Sequence, residues 1–501
     1  MEIVCPGGKN ILKYLLEKNV MIDMPCAGNG SCGKCRIKLI AGDLPVTKTD
    51  KEHLSEEELS TGIRLACAAV PDKPVRIELN ELGSVNAVTL NYKSAAYDNK
   101  VCGIAIDIGT TTIAAALTET QSGRILDVYS AENSQRRFGA DIVTRIRFDS
   151  VNRNGELTNT LLDDMVKLLN HFAAKYPGIR KNIRKIVISA NTTMIHTLLG
   201  KNTASLGVYP FAALTLGGEE MTLETLLRGR YSAIDKNTPV YILKGFSAHI
   251  GADIASGITA LGLLESDKTA VLCDLGTNAE TALVKNKRIY ALSAPAGPAL
   301  EGGNISCGCA GVDGAVCSVK IQDSVCTVKT INNKPVCGVC GTGVIDCAAE
   351  LLKNGLVDKT GRLHDRYFIK GYPLTRYADG RILYFTQDDI RQLQLAKSAV
   401  ASGIEILLKR TDTSPEDIDC MYIAGGFGYY LNTDSAAAVG LLPRELCKKA
   451  RLVGNTSLMG AVKLCRERDN TDMYNSFTEI ILSNDEDFNS SFIENINFTE
   501  E

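Results

Sequence analysis

One phrase occurs twice in this chain and constrains its fold more than any other feature. Cys102-Gly-Ile-Ala-Ile-Asp107-Ile-Gly109-Thr110-Thr111-Thr112 runs into an apolar stretch, and Ala270-Val-Leu-Cys-Asp274-Leu-Gly276-Thr277-Asn278 does the same. Each copy reads as a buried strand, an Asp-aliphatic-Gly-Thr turn and a second strand. The two aspartates stand 167 residues apart, as two similar α/β halves facing each other would place them. The turns have a chemical use. Glycine allows the tight hairpin, while threonine hydroxyls and turn N–H groups meet phosphate oxygens. An aspartate at the strand end holds Mg²⁺ through water or orients an attacking water. Two such turns form a clamp on a polyphosphate. Asp107 and Asp274 are then the candidate catalytic carboxylates, and Gly109, Thr110, Thr111, Thr112, Gly276, Thr277 and Asn278 the polyphosphate-binding residues. No Walker A sequence occurs, so the chain is not a P-loop protein.

The chain has 501 residues, enough for roughly three to four units of domain size. A net charge of −3 gives no basic field, which argues against a nucleic-acid partner. The N-terminal residues lack a signal-peptide pattern, and no apolar run is long enough to cross a membrane, so a cytoplasmic location is expected. In that compartment the 17 cysteines argue against a disulfide framework. Four of them form a motif. Cys26-Ala-Gly28-Asn-Gly30-Ser-Cys32-Gly33-Lys-Cys35 has the spacing Cys-x5-Cys-x2-Cys, and Cys67, separated from Cys35 by 31 residues, stands alone. A [2Fe–2S] cluster takes four thiolates, two on each iron. Gly28, Gly30 and Gly33 let a backbone wrap it closely. Structural zinc is the competing reading, but zinc prefers paired knuckles on both halves of its site. Residues 28–33 also match G-x-G-x-x-G, but without the strand and helix a dinucleotide site requires. Lys34 and Arg36, beside the motif, read as solvated surface. The remaining cysteines read as small core residues, including Cys337 and Cys340 despite their Cys-x2-Cys spacing.

A third glycine-rich segment, Asp419-Cys-Met-Tyr-Ile-Ala-Gly425-Gly426-Phe-Gly428, runs from a strand into a turn on which a flat group such as adenine can lie. In this order, the trio resembles the sugar kinase, Hsp70 and actin superfamily over about 400 residues. Residues 187–193 look like its first connecting segment, and residues 338–346, with Gly341 and Gly343, like its second. The resemblance implies ATP and Mg²⁺ bound between two lobes, with Gly341, Gly343, Gly425 and Gly426 in the nucleotide-binding set. The first block, of about 80 residues, resembles ferredoxins of the plant and adrenodoxin type, which implies a β-grasp fold and one-electron transfer.

The expected fold is therefore α/β overall: an N-terminal β-grasp [2Fe–2S] ferredoxin domain (residues 1–82), a linker (83–100), and a two-lobed actin-like ATPase with lobes at 101–265 and 266–501, the second carrying a packed C-terminal tail. A [2Fe–2S] ferredoxin ahead of such an ATPase resembles the reductive activators of corrinoid proteins. That resemblance is strengthened by the phrases around Asp141, Asp253 and residues 296–308. It implies an ATP-hydrolysing iron–sulfur reductase that passes an electron to a Co(II) corrinoid protein of a methyltransferase system and restores Co(I). A cellular electron donor is implied too, and a homodimer is left open. The chain departs from longer relatives in having no extra domain between cluster and ATPase. Two alternatives stand beside this reading: an ATP-dependent donor to another low-potential metalloenzyme, and a redox- or ATP-sensing binding module. Glu280 and Glu301 fit equally as bases or as surface carboxylates.

Overall fold

The computed structural model describes residues 1–498 except 19, 21, 23–25, 27, 31–32, 80–96, 98–99, 153, 427–429 and 468, and it leaves the side chains of residues 16 and 177 undescribed. The expected linker at 83–100 thus lies almost wholly outside the described residues, as do Cys32 and Gly428.

The first sheet holds four strands, β1 (Glu2–Cys5), β2 (Arg36–Ala41), β3 (Ile63–Leu65) and β4 (Val75–Glu78), in the order β1-β4-β2-β3. All its pairings are antiparallel. Helix Ile11–Glu17 lays Ile11 and Leu15 on the sheet, where they join Ile37, Leu65 and Ile77 in a small buried core. This is the β-grasp unit that the ferredoxin resemblance implies.

The duplicated phrase becomes a duplicated sheet. One sheet contains β5 (Cys102–Ile108), β6 (Thr112–Glu119), β7 (Ile125–Glu132), β8 (Ile183–Ala190), β9 (Glu220–Thr222) and β10 (Pro239–Ile242). The other contains β11 (Ala270–Leu275), β12 (Ala279–Lys285), β13 (Arg288–Ala294), and then, after a smaller three-stranded sheet and a hairpin, the strands Cys420–Ala424, Ala450–Gly454 and Phe477–Glu479. In each sheet three consecutive strands pair antiparallel, and two later strands add in parallel beside the first of them. β5 and β11 are apolar along nearly their whole length because both of their faces are covered.

Two helices tie the lobes together. Ala252–Leu261 follows the first sheet yet places Ile254, Ala255 and Ile258 against Leu272 and Ala282 of the second. Thr456–Leu464 follows the second sheet yet places Leu458, Ala461 and Val462 in the core of the first. They touch through small residues. A Cβ on Gly460 would come within 2.0 Å of the Ser256 carbonyl oxygen, and the Ser256 hydroxyl donates to the Ser457 carbonyl at 2.7 Å. These are the connections between lobes, which corrects the two segments expected from sequence. Residues 187–193 stay in the first lobe, as β8 and the start of helix Thr192–Leu199. Residues 338–346 stay in the second, where helix Gly341–Lys353 buries Val344, Ile345 and Ala348. Both segments are too apolar on their own lobe's side to leave it. The tail is packed as expected: Phe477–Glu479 extends the second sheet and Phe498 is buried.

Candidate functional site

The two Asp-aliphatic-Gly-Thr turns face one cleft. In the first, Gly109 N–H donates to Thr112 O at 2.9 Å, and a Cβ on Gly109 would stand 2.7 Å from that oxygen, so the hairpin needs glycine. In the second, Gly276 N–H donates to Asn278 O at 3.0 Å. The cleft is lined by Asp107, Gly109, Thr110, Thr111 and Thr112 from one side, and by Asp274, Gly276, Thr277, Asn278, Gly341, Gly425 and Gly426 from the other. Twelve of the thirteen residues assigned to catalysis and nucleotide binding from sequence thus share one cavity. Gly343 is the thirteenth: it does not line the cleft, and a Cβ there would sit 2.2 Å from Val316 O, so its bare backbone serves packing. Gly425 and Gly426 divide their work. A Cβ on Gly425 (φ +87°) would meet Asp274 Oδ1 at 2.5 Å, whereas Gly426 faces open space in the cleft.

Asp107 is held from the opposite lobe. Asn455 Nδ2 donates to its Oδ2 and Ser457 Oγ to its Oδ1, both at 2.7 Å. Burial nevertheless pushes its carboxyl up, those two donors pulling the other way. Asp253, just inside the first crossing helix, is pushed up to about 7 by burial and then by the nearby Asp107 charge. Asp274 is pushed up to about 8 by burial and then by Asp253, Asp107 and Glu301. Glu280, the β12 partner of Asp274, lies well above the usual carboxylate range for the same reasons. Glu301 accepts a short hydrogen bond from the Thr277 hydroxyl. Glu280 and Glu301 are therefore cleft carboxylates and not surface ones.

Sequence reasoning assigned no role to Asn191, Asp253, Arg145, Asn455 or Ser457. Asn191 and Asn455 each follow a parallel strand and cap a helix, so the second copy of an Asn-Thr-Thr/Ser phrase was the available signal. Asn191 Nδ2 also donates to Thr110 Oγ1 at 3.2 Å. Arg145 gave no signal, being one arginine among many on a helix. Its guanidinium is fully buried behind the first turn, with Nη2 donating to Thr110 O at 2.6 Å and Nε to Gly139 O at 2.8 Å. Burial lowers it to about 9, which leaves it a cation at neutral pH.

The second site is the cysteine loop. Cys35 immediately precedes β2 and Cys67 closely follows β3, and the pairing of Arg36 with Leu65 brings the two together. Ala66 N–H donates to Cys35 O at 2.8 Å. A hydrogen bond from Cys35 lowers the Cys67 thiol, with Cys26 near enough to oppose the shift. Gly28 and Gly33 have positive φ, and a Cβ on either would fall within 3 Å of Leu12 or His53. His53 Nε2 lies 2.8 Å from Gly30 O and braces the loop. Three thiols around glycine backbone suit a [2Fe–2S] cluster, Cys32 lying outside the described residues. Among the described residues no three His, Cys, Asp or Glu side chains converge on a point suited to one metal ion; in a two-iron cluster only two thiolates meet any one iron. Lys34 is not simple surface. Its Nζ donates to Ile305 O at 2.6 Å and Ser306 O at 3.1 Å of the second lobe.

Three family models tile the chain. Residues 1–72 match the 2Fe-2S iron-sulfur cluster binding domain, 102–266 the RACo middle region, and 268–501 the C-terminal domain of RACo, the ASKHA domain. A solved structure described as a reductive activator for corrinoid, iron-sulfur protein superposes with a TM-score of 0.72 at 25% identity, covering 99% of this chain and 96% of that one. The chain belongs to the reductive activators of corrinoid proteins. Among relatives of this activator, the corrinoid activation enzyme RamQ of Eubacterium limosum is 28% identical over 80% of this chain and 71% of its own length. The [Co(II) methylated amine-specific corrinoid protein] reductase of Methanosarcina barkeri is 29% identical over 47% of this chain and 46% of its own. The activator thus joins an iron–sulfur domain to a nucleotide-binding ASKHA domain, and no helix among its described residues is long and apolar enough to cross a membrane.

Proposed function

We propose that this activator uses ATP to drive one electron into a Co(II) corrinoid protein of a methyltransferase system, restoring Co(I). The observation that carries the reading is the cleft itself: five carboxyl groups, those of Asp107, Asp253, Asp274, Glu280 and Glu301, with no Lys or Arg among the described lining residues. Two like charges about 4 Å apart repel by roughly 4 kcal/mol at a near-surface dielectric. A polyphosphate entering such a cleft therefore requires a divalent cation between it and the carboxylates, and Mg²⁺ suits oxygen ligands and phosphates. In this reading Asp107 and Asp274 hold the cation's water shell and orient the attacking water. The threonines of the first turn, with Thr277 and Asn278, bind phosphate oxygens. Arg145 stiffens the first turn and places a buried positive charge behind it. Gly426 leaves room for the adenine.

The fitted cluster, held by Cys26, Cys32, Cys35 and Cys67, would supply one-electron redox chemistry. The chain's own residues keep the thiolates together and shield them with Leu12 and His53. Binding energy from nucleotide selects the complex in which the acceptor cobalt is easier to reduce. Domain limits at residues 82, 100 and 265, and a cytoplasmic site of action, belong to the same reading. The test mixes the anaerobic, cluster-loaded protein with a reductant and a Co(II) corrinoid protein, and follows cobalt absorbance. Co(I) should appear only with Mg–ATP, and Asp107→Ala should abolish it; equal Co(I) without nucleotide would sink the proposal.

A further inference from the structure

A group of thiols lies beside the nucleotide cleft, with Cys340 alone among them lining it. Residues 307–309, Cys-Gly-Cys, run beside residues 337–340, Cys-Gly-Val-Cys. Val339 N–H donates to Cys307 O and Cys309 N–H to Val339 O, each at 2.9 Å. The Cys309 sulfur lies over Gly338, where a Cβ would stand 2.7 Å from it. That sets the Cys309 thiol beside Cys337, the residue preceding Gly338, close enough for each thiol to shift the other's ionisation. Cys337 is exposed at the end of a surface loop and Cys309 is half-buried beneath it. No three of these thiols converge as metal ligands. The Cys309 S–H favours the thiolate of Cys337 and lowers it, while Cys309 itself is raised. An exposed, lowered thiol beside a half-buried, raised partner has the asymmetry of a reactive dithiol.

We propose that Cys309 and Cys337 are a thiol–disulfide exchange site that takes small disulfides and sets the affinity of the nucleotide cleft. The Cys337 thiolate attacks one sulfur of an R–S–S–R disulfide, forming Cys337–S–S–R and releasing RS⁻. Cys309 then loses its proton and attacks the Cys337 sulfur, closing the Cys309–Cys337 bond and releasing the second RS⁻. Two protein thiols are oxidised by two electrons and the small disulfide is reduced to two thiols. Bonded sulfurs lie about 2 Å apart, so closure draws the two segments together. Both segments lead directly to the cleft: Cys309 into Ala310 and Gly311, and Cys337 through Cys340 into Gly341 and Thr342. The closed bond therefore displaces one wall of the nucleotide site.

The effect on affinity rests on the nucleotide reading above; the exchange chemistry does not. The test incubates the anaerobic, cluster-loaded full chain with oxidised glutathione and maps disulfides by mass spectrometry without reductant. ATP binding is measured before oxidation, after it, and after thiol reduction, with cluster absorbance followed throughout. The expected result is a Cys309–Cys337 linkage and an ATP Kd raised at least threefold, reversed by reductant. Cys337→Ser and Cys309→Ser should each remove the shift while keeping the reduced protein's affinity. Glutathione left on Cys337 with no linkage to Cys309, or a linkage with unchanged ATP affinity, would overturn the proposal. Failure of the reduced protein to bind ATP would instead count against the nucleotide reading, and the linkage alone would then decide the exchange site.

Discussion

At the scale of single residues the cleft is governed by protons. A carboxyl raised in the folded chain binds more protons there than in the unfolded chain, where Asp titrates near about 3.9. The stability it contributes is therefore complete below that value, is lost as pH rises, and is gone above about 7 for Asp253 and about 8 for Asp274. A divalent cation replaces those protons, so Mg²⁺ should compensate most where the carboxyls are ionised. The melting temperature of the Mg²⁺-free protein should fall between pH 6 and 8, and the rise on adding Mg²⁺ should grow over the same range. A rise independent of pH would mean that these carboxyls do not meet the cation. Arg145 supports a second prediction. Arg145→Met removes the buried charge and leaves the Thr110 and Gly139 carbonyls without their donor, at about 1–3 kcal/mol for each buried unsatisfied group. ATP affinity should drop at least tenfold by calorimetry, with Arg145→Lys intermediate because it keeps the charge and loses the fork.

At the scale of elements, the crossing helices Ala252–Leu261 and Thr456–Leu464 are where the lobes connect, and their contact depends on having no side chain at Gly460. Gly460→Ala improves helix propensity by about 1 kcal/mol. The added methyl, only 2.0 Å from a backbone oxygen, forces the helices apart at about 1–3 kcal/mol. The second effect should win: a lower melting temperature, and weaker ATP binding because Asn455 and Ser457, at the start of the same helix, move off Asp107. A stabilised protein with full affinity would show that this close contact holds neither the lobes nor the cleft in place. The sequence made much of this scale legible, unevenly. Turns built on Asp-aliphatic-Gly-Thr could be read because backbone geometry and ligand chemistry demand the same few residues at fixed spacing. The β-grasp unit could be read because its cysteine spacing is demanded by a cluster. The crossing helices could not, since an apolar helix such as Thr456–Leu464 carries no mark of which lobe it will cover. Arg145 and Ser457 were hidden for a related reason: their partners lie 35 and 350 positions away, in a turn and on a strand whose neighbours are set only by tertiary packing.

At the scale of the whole molecule, one segment joins the two sites. Residues 301–306 begin at Glu301, bound to Thr277 in the cleft, and end at Ser306, bound to Lys34 beside Cys35 of the cysteine loop. Ser306 is fixed from behind as well. Its N–H and hydroxyl donate to Asp389 at 2.5 and 2.6 Å, and Asp389 also caps the long helix Gln387–Arg410 through Thr386. A change at Thr277 on nucleotide binding therefore has a short covalent path to the surface on which the iron–sulfur domain rests, while the helix cap gives that surface a rigid base. Two hydrogen bonds from one charged amine contribute about 1.5–3 kcal/mol each at most, enough to favour the docked arrangement and small enough for nucleotide to release. Amide hydrogen exchange at residues 301–306 should change when Mg²⁺ and a non-hydrolysable ATP analogue are added. Lys34→Ala should speed exchange at the same amides and at residues 33–36 without nucleotide, and increase the radius of gyration by small-angle scattering. If the analogue leaves these amides unchanged in the unsubstituted protein, the cleft and the cluster loop are not coupled by this route. If it changes them equally in the Lys34→Ala protein, the signal stops at Asp389 and does not reach the iron–sulfur domain.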